Sequence, residues 1–159
     1  MRYRLMLALC VASTAARAEP CSKPDAASLQ NTWQAFRTAS LQNQPEQIAR
    51  FYRFPLKLLP PMDGAAPLQI ERPVFLKNYA ALFQKSPAGD EIGLLAALKQ
   101  SGGKEYIPQT RFDEARCRYI SPTRVGDYNF IYDKKTGWQI ESLYYGSDID
   151  IARSAGLDR

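Results

Sequence analysis

Residues 126–145, GDYNFIYDKKTGWQIESLYY, decide the fold. Tyr128, Phe130 and Tyr132 fall on alternate positions, and Trp138, Ile140 and Tyr144 do the same further on. A period of two places each set on one face of a β-strand. Between them, Asp133-Lys134-Lys135-Thr136-Gly137 carries turn formers in place of apolar residues, so the two runs read as antiparallel strands over 126–133 and 138–145. The same β-branched and aromatic content begins after Tyr106. It predicts a third antiparallel strand over 109–121, connected through Pro122-Thr123.

Toward the N-terminus the period changes to that of a helix. Ser22-Lys23-Pro24-Asp25 offers a capping serine, an early proline and an acid in the first turn, and Leu29, Trp33, Phe36 and Ser40 then recur on one helical face. Asn43-Gln44-Pro45 breaks this helix, and a short one over 45–52 points Ile48, Phe51 and Tyr52 inward. Residues 54–59 and 67–70 read as a hairpin around Pro60-Pro61-Met62-Asp63-Gly64. Pro73 opens a second long helix whose Phe75, Leu76, Tyr79, Leu82 and Phe83 form an apolar stripe. Asp90 is placed to cap a third, with Ile92, Leu95 and Leu98 inward and Gly102-Gly103 as its stop. Helices first and strands last predict an α+β domain over 19–145, its N-terminal helices packed on a curved antiparallel sheet. Residues 146–159 read as a C-terminal tail or short helix.

The first residues have a different character. Arg2 and Arg4 precede the apolar run Leu5–Ala12, and Ala16-Arg17-Ala18 supplies a small-x-small site. This is the pattern of a signal peptide over 1–18 that is cleaved before Glu19. The alternative, a membrane anchor, needs roughly 20 apolar residues, more than this run provides. The expected location is outside the cytoplasm, in a periplasm or secreted, with no membrane attachment after cleavage. Losing Arg2, Arg4 and Arg17 from the 21 basic residues, against 16 acidic ones, lowers the net charge from +5 to about +2. No basic block interleaves with aromatics, so nucleic acid is not an expected partner.

Cleavage also removes Cys10 from the three cysteines and leaves Cys21 and Cys117. Two thiols in an oxidising compartment usually pair, the alternative being two separately buried thiols. The chain has no His. That excludes His-based acid/base catalysis, the Ser-His and Cys-His nucleophile pairs and the usual zinc and haem ligand sets.

The run Ile70-Glu71-Arg72-Pro73-Val74-Phe75-Leu76 with Tyr79 and Phe83, followed by a late strand with Gly137-Trp138-Gln139-Ile140, resembles the NTF2-like (cystatin-like cone) superfamily. The resemblance covers most of the chain after residue 18. It implies a cone of sheet and helices around a pocket, a scaffold shared by isomerases, dehydratases, binding proteins and toxin-neutralising immunity proteins. Fold alone does not choose among these.

Two sets of residues are candidates for function. Asp127, Tyr128 and Tyr144, with Tyr119 and Tyr132 nearby, could supply a base and hydrogen-bond donors to a ligand in such a pocket. Against this, Gly126-Asp127 is also a turn, and tyrosines are common strand residues. The second set lies in the charged stretch around Asp113 and Glu114. There Arg116, Arg118 and Tyr119, together with Tyr132, have the composition of a protein-binding surface, although ion pairing across a solvated strand is the plainer reading. Asp148, Asp150 and Asp158 lack the glycine and distal glutamate of a calcium loop. No metal or cofactor is expected.

Two functions follow. One is a non-enzymatic exported binding module of the immunity or inhibitor kind, which holds a protein partner. The other is a pocket for a small apolar ligand, as a carrier or an acid/base isomerase. The second requires an interior not filled by Trp33, Phe36, Phe75, Phe130 and Trp138.

Overall fold

The apolar spacing of 28–41 winds it into helix α1 (Ser28–Leu41), which buries Leu29, Trp33, Phe36, Ala39 and Ser40. A computed structural model of the chain describes residues 21–23, 25–61, 66–120, 122–146 and 149–159. The expected signal segment, Pro24, Met62 to Ala65 of the first turn, Ser121 and Asp148 lie outside them. The helix begins later than Ser22-Pro24 suggests, because Asp25 Oδ1 accepts the Ala27 N–H in a turn of its own, at 3.0 Å. Ser28 Oγ serves elsewhere, accepting the indole N–H of Trp138 at 3.0 Å and so tying the start of α1 to the sheet.

Pro45 starts the short helix α2 (Pro45–Ile48), and a 3-10 turn over Ala49–Phe51 leads into β1 (Tyr52–Leu59). Tyr52, expected on a helix, is the first residue of the strand. The predicted hairpin forms between β1 and β2 (Leu68–Ile70), with Leu56 opposite Ile70. Helix α3 (Arg72–Phe83) has Pro73 in its first turn and buries Phe75, Tyr79, Leu82 and Phe83, with Leu76 half-buried. Helix α4 (Gly93–Gln100) takes Ile92 as its N-cap residue, so Asp90 is not its cap. Asp90 instead gives its carbonyl to the Ser86 N–H in the preceding turn.

The strands depart from expectation in two ways. Residues 109–121 do not run as one strand; they split into β3 (Phe112–Asp113) and β4 (Arg118–Tyr119), which form a separate two-stranded sheet. The break follows from the side chains. Asp113 Oδ1 accepts the Arg116 N–H at 3.1 Å, and Cys117 turns the chain at φ 49°. The edge strand beside β6 (Tyr128–Asp133) is then the short β5 (Thr123–Val125), joined through Gly126 at φ 56°. Second, the main sheet is mixed and not antiparallel. Its order is β2-β1-β7-β6-β5, and β7 (Gly137–Tyr144) pairs antiparallel with β6 but parallel with β1. An alternating pattern gives a strand its faces and leaves its direction against a distant neighbour open. The sheet is open, and the architecture is α+β.

Helices α1 and α3 pack on the same face of the sheet. Trp33 lies 5.5 Å from Tyr128, Phe36 5.7 Å from Tyr52 and Phe75 5.3 Å from Tyr52, measured between ring centroids. Trp33, Phe36, Phe75, Phe130 and Trp138 are all buried in this one core. Each fully buried Phe or Leu contributes roughly 1.5–3 kcal/mol by leaving water. Residues after 145 join it too: α5 (Ile149–Ser154) buries Ile149 and Ala152, and Asn78 Nδ2 donates to the Leu157 carbonyl at 3.1 Å.

The outer face of the sheet as a candidate binding groove

Strand register determines which side chains are left for function. In β6, Tyr128, Phe130 and Tyr132 stand opposite Leu143, Ile140 and Trp138 on the helix-covered face, so Asn129 and Ile131 point the other way, opposite Ser142 and Gln139. The pairing passes from Ser142 to Ile140 while β6 advances by one residue, which leaves Glu141 as an inserted residue, a β-bulge. In β1, Tyr52, Phe54, Leu56 and Leu58 pack inward, which turns Arg53 and Lys57 to the outer face.

The β3–β4 hairpin borders this outer face, and between it and the sheet lies a groove of about 460 Å³. That volume falls in the usual range for binding sites, roughly 300–1,000 Å³. Arg116, Arg118, Tyr119 and Tyr132, the residues singled out in the sequence for binding, all line it. Arg53 and Glu141 face them from β1 and β7, with Ile120 and Ile131 as apolar lining.

The aromatic members are not exposed anchors. Tyr119 is only 3% exposed; its ring lies 4.6 Å from Trp138, 5.1 Å from Tyr132 and 5.1 Å from Phe112. It builds the wall, and the exposed apolar surface at the groove is Ile120, at 51%. Tyr106, the most exposed tyrosine among the described residues, lies outside the groove lining.

The charges divide in two. Arg116 is paired with Asp113, Nε to Oδ2 at 3.8 Å. Arg53, Arg118 and Glu141 have no ion-pair or hydrogen-bonding partner among the described residues. The hairpin carrying Arg116 and Arg118 is held by the Cys21–Cys117 disulfide, with a Cα–Cα distance of 5.5 Å and a sequence separation of 96.

Asp127, Tyr128 and Tyr144 are not assembled into a site. Asp127 lies in the β5–β6 turn with its side chain 47% exposed, 3.4 Å from Arg124. Tyr144 is on the outer face under the same guanidinium, 4.4 Å from its ring centroid. Tyr128 points into the core, where burial, and then the Asp127 charge, push its phenol well above the ordinary value. The expected hollow is filled by the buried core: the cavity lined by Tyr52, Tyr79, Tyr128, Ser40 and apolar side chains measures about 10 Å³. That is room for about one water molecule. Burial pushes Tyr79 up to about 12 and Tyr52 well above its usual value, with the Tyr128 and Tyr79 phenols adding to the shift of Tyr52. Phenols that hold their protons so tightly do not serve as bases near neutral pH.

One buried carboxylate, Glu105, supports the fold behind the groove. Arg37 Nε donates to its Oε1 at 3.1 Å, and Ser101 Oγ bonds the same oxygen. Trp33 Nε1 and Glu105 Oε2 are both buried without a partner at hydrogen-bonding distance among the described residues, and the indole N–H still favours the charged form of the carboxyl from farther off. Burial pushes this carboxyl up, but the bonds from Ser101, its own backbone, Trp33 and Arg37 outweigh that and hold it below its ordinary value. Among the described residues, no three His, Cys, Asp or Glu side chains are grouped to hold a metal ion, and no helix is long and apolar enough to cross a membrane.

Compared with known protein families, curated proteins and solved structures, the chain matches none.

Proposed function

We propose that the chain is an exported, non-enzymatic binding module of the immunity or inhibitor kind, built on an NTF2-like scaffold, and that it holds a protein partner in the outer-face groove. One observation carries this reading: Arg116, Arg118, Tyr119 and Tyr132 converge on a single groove with Arg53, while the cavity at Tyr52, Tyr79 and Tyr128 in the core has room for about one water. Charged side chains around an apolar contact, on a rigid sheet, suit recognition of another protein surface. The disulfide fits an oxidising compartment, as the N-terminal signal pattern requires.

Affinity capture from the exported fraction of the source organism tests the proposal, using the wild-type protein beside Ile120→Asp, which removes the apolar contact and puts a negative charge into the groove. Retention of a partner by the wild type and its loss from the variant is the expected result. No partner at micromolar protein, or equal retention by both, would overturn it.

A further inference from the structure

We infer that the partner enters this groove as an extended acidic segment, with its carboxylates held by Arg53 and Arg118. The inference rests on the reading of the chain as a binding module and deepens it. Arg53 stands on β1 of the main sheet and Arg118 on β4 of the separate hairpin sheet, which packs beside β6, and both line the groove. Both guanidiniums are exposed and lack carboxylate partners among the described residues. A guanidinium with no partner from its own chain offers a planar fork of donors to a carboxylate from outside.

The acids in the lining narrow the choice of anion. Asp113 and Glu141 border the same groove, and they would repel a nucleic acid or a doubly charged phosphate. An acidic peptide segment meets a smaller penalty, because its charges are single and spaced along the chain. Each of its carboxylates carries one charge, and its backbone N–H groups can donate to the Glu141 carboxylate, which has no side-chain partner among the described residues. Ile120 and Ile131 then meet apolar side chains on the segment. In an extended segment, alternate residues face the same side, so one stretch can present acids and apolar groups to the groove in turn.

A displayed library of short random peptides, selected in parallel on wild-type protein and on Arg53→Gln/Arg118→Gln, tests this. Both arginines are exposed, so the double variant should unfold at the same denaturant concentration as wild type, which is checked first. Peptides from the wild-type selection should carry an excess of Asp and Glu, and those from the variant should not. A wild-type peptide should bind the double variant about tenfold or more weakly, the loss expected for charge-assisted hydrogen bonds. Millimolar inorganic phosphate should not displace it. No acidic excess, an excess that survives in the double variant, or displacement by phosphate would each overturn the inference. Ile120→Asp separates the two levels. If it abolishes binding of peptides that carry no acidic excess, the groove stands and the acidic chemistry falls. If binding is untouched by Ile120→Asp, the groove itself is wrong.

Discussion

The two faces of the same sheet are built to opposite rules. On the inner face, Tyr128 and Phe130 lock against Trp33 of α1, while Tyr132, at the edge, packs on Tyr119 of β4 and Trp138 of β7 and forms the wall shared with the groove. On the outer face, residues one position away in sequence, Ile131 beside Phe130 and Arg53 beside Tyr52, line an open groove in which Arg53, Arg118 and Glu141 have no ion-pair partner among the described residues. Burial on one face supplies the stability; incomplete pairing on the other leaves chemistry available. The disulfide is the exception, since it serves the outer face by fixing the hairpin that carries Arg116 and Arg118.

Removing that bridge should therefore have the largest effect and should disturb both faces. On the chain-entropy model, closing a loop of 96 residues contributes about 4 to 5 kcal/mol. Cys21→Ser/Cys117→Ser should lose that much in urea denaturation, and the fraction still folded should bind its peptides more weakly than wild type. A variant that loses stability but binds normally when folded would show that the hairpin holds its place without the bridge.

Two adjacent residues then sharpen the contrast. Phe130→Ala opens a cavity in the inner face and should cost about 3–5 kcal/mol. Ile131→Ala, on the same strand but on the outer face and half-buried, should cost about 1 kcal/mol. Chemical denaturation of the pair measures the asymmetry, and equal losses would mean that the outer face is also core.

How much of this was legible follows from the same asymmetry. The apolar stripes of α1 and α3 and the inner faces of β6 and β7 repeat at the period of their elements, so Trp33, Phe36, Phe75 and Phe130 could be placed in the core from sequence. The parallel pairing of β1 with β7 has no local signal, since Tyr52 and Ile140 are far apart in the chain. Nor did composition reveal the break in 109–121, because a single Asp113 side chain and the positive φ of Cys117 make it. In the groove, Arg116, Arg118 and Tyr119 stood out because they are neighbours in sequence. Arg53 arrives through the distant β1 pairing and Glu141 through a bulge. The cue available for Glu141 was a charge at the end of an apolar alternation in 138–140. Asp127 misled because a carboxylate beside a tyrosine looks the same in sequence whether the turn points in or out.

Glu105 gives a smaller effect, confined to the inner side. Its carboxyl is held below the ordinary value in the folded chain, so the folded state favours the charged form. Its stabilising contribution is complete above the unfolded pKa, about 4.3. It is lost as pH falls through the lower folded value. Glu105→Gln should flatten the acid limb of the stability profile and, with the Arg37 partner gone, cost about 1–3 kcal/mol at neutral pH. A variant whose stability declines in acid just as the wild type's does would remove Glu105 from that role.

The smallest expected effect divides the outer face itself. Arg124 is as exposed as Arg53 and Arg118, yet it is fully engaged: Nε donates to the Gly126 carbonyl at 2.7 Å, Nη2 lies 3.4 Å from Asp127 Oδ1, and the guanidinium covers Tyr144. An exposed ion pair and cation–π contact of this kind contribute about 1 kcal/mol or less. Arg124→Gln should therefore shift the unfolding midpoint slightly and leave peptide affinity unchanged, because Arg124 does not line the groove. Arg118→Gln should do the reverse, leaving the midpoint alone and weakening the peptide. If Arg124→Gln weakened binding as much as Arg118→Gln, the recognition surface would have to extend across β5, and an unpartnered guanidinium would no longer be what marks a binding residue on this face.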